Sequence, residues 1–297
     1  MSIASLPWEK TADGEPATLV AALHRNAVSY GNRIAFRERR YGIWQEQSWI
    51  QVLEEALAIA AGLESEGLGP GDVMTLIGDN RPRLYFAMFA AMMLRAIPSP
   101  AYPDIPLEEL IAATRHGAPK VAIAEDQEQV DKLVGLHGAT GRPDVIAYDD
   151  DRGLRGYVGN GLVSLDALIE TGRKRLAAEP ELTARLLAAA RPGDYAVLLH
   201  SSGTTGVPKG IPLTHQNATR GVLNAAASGY FRCHDELFAY LPMAWVGDFA
   251  FIVSAAVVMT CITNIPERQE TVLHDLRQAS PTFYLAAPRA WDQMLTR

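Results

Sequence analysis

A short segment in the second half of the chain concentrates the residue types that bind polyphosphates. Residues 200–210 read His-Ser-Ser-Gly-Thr-Thr-Gly-Val-Pro-Lys-Gly, with four hydroxyl groups, three glycines and one lysine. Glycine lets the main chain approach a ligand closely and turn successive N–H groups into one concavity. Hydroxyl groups donate to phosphate oxygens, and Lys209 adds a compact positive charge. The segment therefore predicts a phosphate-binding loop, with a surface turn that binds nothing as the alternative.

The spacing of this loop excludes several commoner motifs. Lys209 lies between proline and glycine, whereas a Walker loop needs Gly-Lys-Ser/Thr. The nearest approach to Gly-x-Gly-x-x-Gly begins at Gly159 and has Ser164 in place of the third glycine. Neither Ser201 nor Ser202 has a glycine two residues away on each side, as the nucleophile of an α/β-hydrolase requires. The loop is thus a distinct kind of phosphate site.

The loop closely resembles the phosphate-binding signature of the adenylate-forming ligases, which include acyl-CoA synthetases, luciferases and peptide-synthetase adenylation domains. The family pattern is aromatic-Thr-Ser-Gly-Thr-Thr-Gly-x-Pro-Lys-Gly, followed by a Ser/Thr-His pair. His200 and Ser201 depart from its first two positions, while Thr214 and His215 match the pair. This resemblance identifies the chain as a member of that family.

Three further segments carry the resemblance. Residues 94–102 look like an early family segment, although Ile97 replaces a glycine. Residues 241–248, Leu-Pro-Met-Ala-Trp-Val-Gly-Asp, resemble the Leu-Pro-x-x-His-x-x-Glu segment of long-chain acyl-CoA synthetases. Residues 281–291 resemble the strand and helix that come after that segment in the same subgroup. The long-chain fatty acyl branch is therefore favoured.

The resemblance implies an acid–thiol ligase that uses ATP, Mg²⁺ and coenzyme A. A fatty acid or other carboxylate attacks the α-phosphate of ATP to give an acyl-adenylate, and coenzyme A then displaces AMP. The residues implied to bind the nucleotide phosphates are Ser201, Ser202, Gly203, Thr204, Thr205, Gly206 and Lys209. Lys209 and Thr204 are the implied catalytic residues, because positioning and charge neutralisation dominate such a step. Trp245 is the implied substrate-binding residue, which lines or gates the acyl channel.

Simpler structural interpretations compete for several of these residues. Trp245 fits a core aromatic, and Asp248 fits a solvated or helix N-terminal carboxylate. His215 fits a helix cap better than a residue that orients the loop, and His200 fits the aromatic position of the family pattern. The basic run at residues 173–175 fits a solvated helix face.

Composition excludes several classes of protein. The chain has 297 residues, of which 48% are hydrophobic and 21% charged, so it can bury a sizeable core and is not wholly disordered. Its net charge of −7 gives no overall attraction for nucleic acid. Two cysteines are too few for a disulfide scaffold and suit a reducing cytoplasm. The longest uncharged apolar run, 249–263, is shorter than the ~20 residues of a spanning helix. We expect a cytoplasmic protein without a transmembrane segment; peripheral membrane contact stays open.

The elements that position the loop alternate between strands and helices. Residues before Ile50 read as a loose segment. Helical patterns are expected at 50–63, at 80–94 with Asn80 as the helix start, and at 106–111, 127–136, 165–190 and from 214 onward. Strands are expected at 73–77, 120–124, 144–148, 195–199, 237–241, 262–265 and 282–286. This alternation predicts an α/β fold whose parallel sheets are covered by helices on both faces.

The predicted domain is incomplete at its C-terminal end. An apolar helical stripe begins after Pro288 and the sequence ends at Arg297, which fits a short docked helix or a cut inside a larger domain. The later family motifs, which supply the Mg²⁺ ligand, the ribose ligand and the adenylation lysine, are not found, and this favours the second interpretation. Residues 1–297 are thus expected to form an incomplete AMP-binding N-terminal domain, with sub-lobes at about 45–165 and 190–297 and no metal ligand. The C-terminal half is expected as a partner in cis or in trans.

Three hypotheses remain open. The chain is the N-terminal portion of a long-chain fatty acid–CoA ligase and is inactive in isolation. Alternatively, it is a stand-alone nucleotide-binding remnant without catalytic activity. The third hypothesis is another phosphate-binding α/β enzyme, such as a kinase.

Overall fold

The computed structural model describes residues 10–12, 14–157, 161–201, 209–286 and 291. The helices of this part are α1 (Leu19–Tyr30), α2 (Trp49–Ser65), α3 (Pro82–Met93), α4 (Leu107–Ala113), α5 (Gln127–Thr140), α6 (Leu165–Ala178), α7 (Leu182–Ala189), α8 (His215–Ala227), α9 (Val246–Asp248), α10 (Ala255–Met259) and α11 (Val272–Ala279). Its strands are β1 (Ile34–Arg40), β2 (Ile43–Ser48), β3 (Val73–Ile77), β4 (Ile97–Ala101), β5 (Pro119–Ala124), β6 (Val145–Tyr148), β7 (Leu162–Ser164), β8 (Tyr195–Ser201), β9 (Lys209–Thr214), β10 (Glu236–Phe238) and β11 (Ile262–Ile265).

Local capping explains where several helices begin. The hydroxyl of Thr18 accepts the N–H of Ala21 at the start of α1, and Asp126 and Ser164 cap α5 and α6 in the same way. Such a cap satisfies an N–H that has no partner inside the helix. Pro82 opens α3, where its missing N–H costs nothing.

A five-stranded parallel sheet in the order β4-β3-β5-β6-β7 forms the first layer. Alternate residues of β5 face opposite sides: Val121 and Ile123 pack into the core that includes α2, α3 and α6. Ala122 and Ala124 pack with α5 and Leu110 of α4 in a second core. Helices thus cover both faces, and the predicted α/β class with a parallel sheet is confirmed.

A second sheet has four strands in the order β10-β11-β1-β2. It pairs strands from the N-terminal part of the chain with strands from the C-terminal part. β10, β11 and β1 are parallel, whereas β2 returns antiparallel to β1 through a tight turn at Tyr41 and Gly42, both at positive φ. The expectation of a loose segment before Ile50 is therefore wrong, since α1 and this hairpin occupy it. No residue of β2 is fully buried, so its sequence lacks the clear alternation of apolar and polar residues that predicts a strand.

Other sequence-based boundaries also need correction. β4 and β9 were not expected as strands, and the single helix expected at 165–190 is two helices, α6 and α7. Residues 282–286 do not form a strand, although the N–H groups of Thr282 and Phe283 both donate to the carbonyl of Glu236. The division into sub-lobes at about 45–165 and 190–297 stays a prediction.

The apolar run at 249–263 folds as expected, from buried helix into buried strand. It passes through a π-helical turn, Phe249–Ser254, into α10 and then β11. Within the described ranges, no helix is both long enough and apolar enough to cross a bilayer.

Candidate functional site

The segment predicted to be the phosphate loop connects the two strands of an antiparallel hairpin in the sequence. β8 and β9 pair with Ser201 opposite Lys209 and His200 opposite Gly210. The structure thus brings two predicted site residues, Ser201 and Lys209, together at the base of the loop. The others, Ser202, Gly203, Thr204, Thr205 and Gly206, lie outside the described residues, so their roles stay predictions.

We call the β8–β9 hairpin the stem. Its β8 strand is anchored by the buried residues Ala196–Leu199, whereas Lys209 is exposed. No ion pair of Lys209 is found among the described residues. The glycine at 210 lets a neighbouring turn approach, because a Cβ there would lie 3.0 Å from the Cβ of His116.

Two histidines meet beside the stem. The ring centroids of His116 and His200 are 5.8 Å apart. Burial lowers the pKa of His200 and the charge of His116 lowers it further, while a hydrogen bond to the main chain of Ala113 opposes both effects. His200 also lines a cavity of about 100 Å³ together with Ser201 and Ala244, the residue before Trp245.

His215 caps a helix, as one interpretation of the sequence proposed, but the helix is not its own. Thr214 caps α8 by accepting the N–H of Asn217, and the Nδ1 of His215 accepts the N–H of Leu19, the first residue of α1, at 3.3 Å. Its side chain is buried, and this burial lowers its pKa to about 4 against the opposing charge of Asp194.

Trp245 is 37% exposed, so its interpretation as a core aromatic is wrong. Its ring folds back over Gly247, where a Cβ would lie only 2.3 Å from the Cζ3 of Trp245. Any side chain at residue 247 must therefore displace the ring. The role of Trp245 in lining or gating an acyl channel stays a prediction.

Asp248 lies in the first turn of α9, in agreement with its interpretation as a helix N-terminal carboxylate. The alternative interpretation, a carboxylate exposed to solvent, is wrong. Its carboxyl group is fully buried and accepts the hydroxyl of Tyr85 at 2.9 Å and the amide of Asn80 at 3.3 Å. Burial raises the pKa of Asp248 to about 8, although these two hydrogen bonds oppose the shift. The same amide donates to the carbonyl of Leu241 at 2.9 Å. This cluster ties the motif at 241–248 to the parallel sheet through the β3–α3 connection.

Sequence reasoning missed the partners of Asp248. Tyr85 is one apolar-patterned residue among many in α3, and Asn80 was expected to start that helix, which begins instead at Pro82. The sequence did contain one sign that this carboxylate is buried, because Asp248 directly precedes the long uncharged apolar run at 249–263.

The basic run at 173–175 forms a helix face, as expected. Arg175 pairs with Glu64 and Glu179, and Lys174 pairs with Glu170. Within the described ranges, no group of histidine, cysteine and acidic side chains has metal-binding geometry.

Known proteins are similar to this chain along nearly all of its length. Residues 23–297 match the family described as AMP-binding enzyme. The chain is similar to the mouse long-chain-fatty-acid–CoA ligase ACSBG1, with 22% identity over 98% of this chain and 42% of that protein. It is 28% identical to the long-chain-fatty-acid–CoA ligase FadD15 of Mycobacterium tuberculosis, over 95% of this chain and 45% of that protein. The chain therefore spans less than half the length of these curated relatives.

Solved structures show the same fold. VinN aligns with a TM-score of 0.72 at 19% identity, covering 98% of this chain and 64% of VinN. The luciferase-like enzyme of the mealworm Zophobas morio aligns with a TM-score of 0.72 at 16% identity, covering 95% of this chain and 63% of that enzyme. The chain therefore shares its fold with these two proteins.

Proposed function

The chain belongs to the AMP-binding enzyme family, and from this premise we propose that it is the N-terminal portion of an ATP-dependent long-chain fatty acid–CoA ligase. The long-chain relatives, at 22% and 28% identity, support the choice of substrate class. The proposed reaction joins a fatty acid to AMP and then transfers the acyl group to coenzyme A.

The observation that carries the proposal is the position of Lys209. The stem holds Lys209 opposite Ser201 at the base of the loop, exposed and without an ion pair in the described chain. In the sequence, Lys209 follows a segment rich in glycine and hydroxyl residues, and this combination of residue types fits the β- and γ-phosphates of ATP. ATP supplies the electrophilic α-phosphate, and Lys209 with Thr204 would neutralise charge on the departing pyrophosphate.

The other partners of the reaction depend on this assignment. Trp245 would border the acyl group, since it is partly exposed and adjoins Ala244 in the cavity wall. Magnesium would be held by a ligand in the later part of the ligase, as the family resemblance implies. We further propose that the remaining half of the ligase, in cis or in trans, completes the site and that the isolated chain does not turn over.

The test is binding of Mg-ATP by isothermal titration calorimetry. We expect measurable binding that Lys209→Ala weakens at least tenfold, since one charge-assisted hydrogen bond contributes about 1.5–3 kcal/mol. Lys174→Ala, on the exposed face of α6, is the matched control and should bind like wild type. Equal binding by both variants would remove Lys209 from the site.

Turnover separates this proposal from its rivals. Fatty-acid-dependent exchange of pyrophosphate into ATP should be undetectable for the isolated chain. Robust exchange would refute the proposal that the isolated chain lacks part of the catalytic site. Release of ADP with phosphoryl transfer to an acceptor would instead identify a kinase.

A further inference from the structure

The segment 241–248 is bonded at both of its ends to one buried side chain. The amide nitrogen of Asn80 donates to the carbonyl of Leu241 at 2.9 Å and lies 3.3 Å from the Oδ1 of Asp248. Because a carbonyl oxygen accepts and cannot donate, the group of Asn80 that faces Leu241 must be its NH₂. Asn80 is 5% exposed and Asp248 is fully buried, so little water competes for these bonds. One amide group thus bridges the first and last residues of the segment.

Tyr85 completes this arrangement, which we call the segment clamp. The clamp consists of Asn80 and Tyr85 with their bonds to Leu241 and Asp248. The hydroxyl of Tyr85 accepts from the amide nitrogen of Asn80 at 2.5 Å and donates to the Oδ1 of Asp248 at 2.9 Å. Asn80 lies between β3 and α3, and Tyr85 lies in the first turn of α3. The clamp therefore fixes the segment relative to the parallel sheet.

Bonds inside the segment fix its shape. The N–H of Trp245 donates to the carbonyl of Pro242 at 2.9 Å, and the N–H of Asp248 donates to the carbonyl of Trp245 at 3.0 Å. The indole ring in turn lies against Gly247. The segment is thus a compact body that carries the ring of Trp245. Where this body lies depends on its attachments to the rest of the protein.

Apolar packing by itself gives this body no defined orientation. Met243 and Ala244 are buried, but the burial of apolar surface is a non-directional force. The hydrogen bonds of the clamp have preferred lengths and angles, so they specify a direction as well as a contact. Removal of the Asn80 amide would take this donor from the buried end of the segment at Leu241. The clamp is therefore the attachment that orients Trp245.

We propose that Asn80, together with Tyr85, is a positioning residue that sets the orientation of Trp245 beside Ala244 in the cavity wall. The inference rests on the proposed function in one respect, that Trp245 borders the acyl group. Asn80 is buried behind the segment bonds and acts on the substrate only through Trp245, so loosening the clamp should alter acyl recognition.

The experiment observes Trp245 by fluorine NMR in ligand-free protein that carries fluorine-labelled tryptophan. Trp245→Phe identifies the resonance, and its shift between light and heavy water measures the exposure of the ring. Asn80→Ala removes the clamp amide. Asn26→Ala is the matched control, because Asn26 is also buried and its amide also donates to a main-chain carbonyl, that of Val257 at 2.8 Å.

We expect the solvent isotope shift of Trp245 to rise about twofold in Asn80→Ala, since a ring that is 37% exposed becomes free to move into solvent. Tyr85→Phe removes only a hydroxyl and should move the resonance in the same direction by a smaller amount. Asn26→Ala should lower the melting temperature and leave the Trp245 resonance at its wild-type position. A purely structural role of Asn80 would likewise lower the melting temperature without changing Trp245 in the folded state.

Two results would overturn the proposal: a Trp245 resonance in folded Asn80→Ala that matches wild type, or an equal change in Asn26→Ala. If Asn80→Ala does not fold, Tyr85→Phe decides, and an unchanged Trp245 resonance in that variant would overturn the proposal. The fluorine measurement needs no ligand, so its outcome is independent of nucleotide binding. Absent Mg-ATP binding by wild type, together with the expected fluorine result, would reject the proposed function and leave this inference intact.

Discussion

Replacement of Asp248 by asparagine should change how stability depends on pH. Asp248 is fully buried, and its pKa in the folded chain is about 8 against an ordinary value of 3.8. Between these values the folded state holds a proton that the unfolded state releases. Its stabilising contribution is therefore complete below pH 3.8 and is lost as the pH rises towards 8.

Linkage gives the magnitude. The loss is about 1.4 kcal/mol per pH unit, or about 3 kcal/mol between pH 5 and pH 7. Asparagine has nearly the same shape, can bond to Tyr85 and Asn80, and does not titrate. The free energy of unfolding of Asp248→Asn, relative to wild type, should therefore rise by about 3 kcal/mol from pH 5 to pH 7.

Urea denaturation monitored by circular dichroism at pH 5, 6 and 7 measures this difference. Contributions from all other titrating groups are shared by the two proteins and cancel. Asp151→Asn, at an exposed position, shows how a surface carboxylate-to-amide change behaves in the same assay. If Asp248→Asn and wild type lose or gain stability in parallel, the carboxyl group is not held protonated and the argument from burial fails.

Two further predictions concern stability. The pKa of His215 is lowered from 6.5 to about 4, so between these values only the unfolded state takes up a proton as the pH falls. The free energy of unfolding should therefore decrease by about 3 kcal/mol over that range. His215→Gln keeps an acceptor for Leu19 and should flatten this slope in the same denaturation series; an unchanged slope would contradict the assignment. Gly172→Ala should destabilise the chain by about 1–3 kcal/mol, because a Cβ there would lie 1.8 Å from the carbonyl of Ala58 on α2. Gly138→Ala in α5 has open space and should instead stabilise by up to ~1 kcal/mol, so equal melting shifts would refute the packing argument.

Much of the framework was predictable because it depends on local patterns. The run at 73–77 is apolar at four of five positions and becomes the fully buried strand β3, and Thr214 begins α8 by its own side chain. The alternation of such runs indicates the α/β class. The loop at 200–210 was found from composition and spacing alone, and the match to residues 23–297 confirms the family that it indicated.

The parts that were missed depend on contacts between distant residues. The strand β2 has no fully buried residue, and the hairpin β1–β2 joins the sheet through the parallel pairing of β1 with β11. Asp248 reads as a surface carboxylate until α3 brings Tyr85 to it from 163 positions away. The sequence indicates that His215 caps a helix, but only the structure shows which one: its imidazole accepts the N–H of Leu19 in α1, 196 positions earlier.

The amino-acid sequence by itself determined the α/β class, many of the alternating strands and helices, and the family, because these depend on residue type and short spacing. The phosphate-binding role of the loop at 200–210 stays a prediction. Only the tertiary structure decided which polar groups are buried and which of them are paired, such as Asp248 with Tyr85 and His215 with Leu19. Burial and pairing set the pKa and hydrogen-bonding capacity of a side chain, and both depend on neighbours that are far away in the chain.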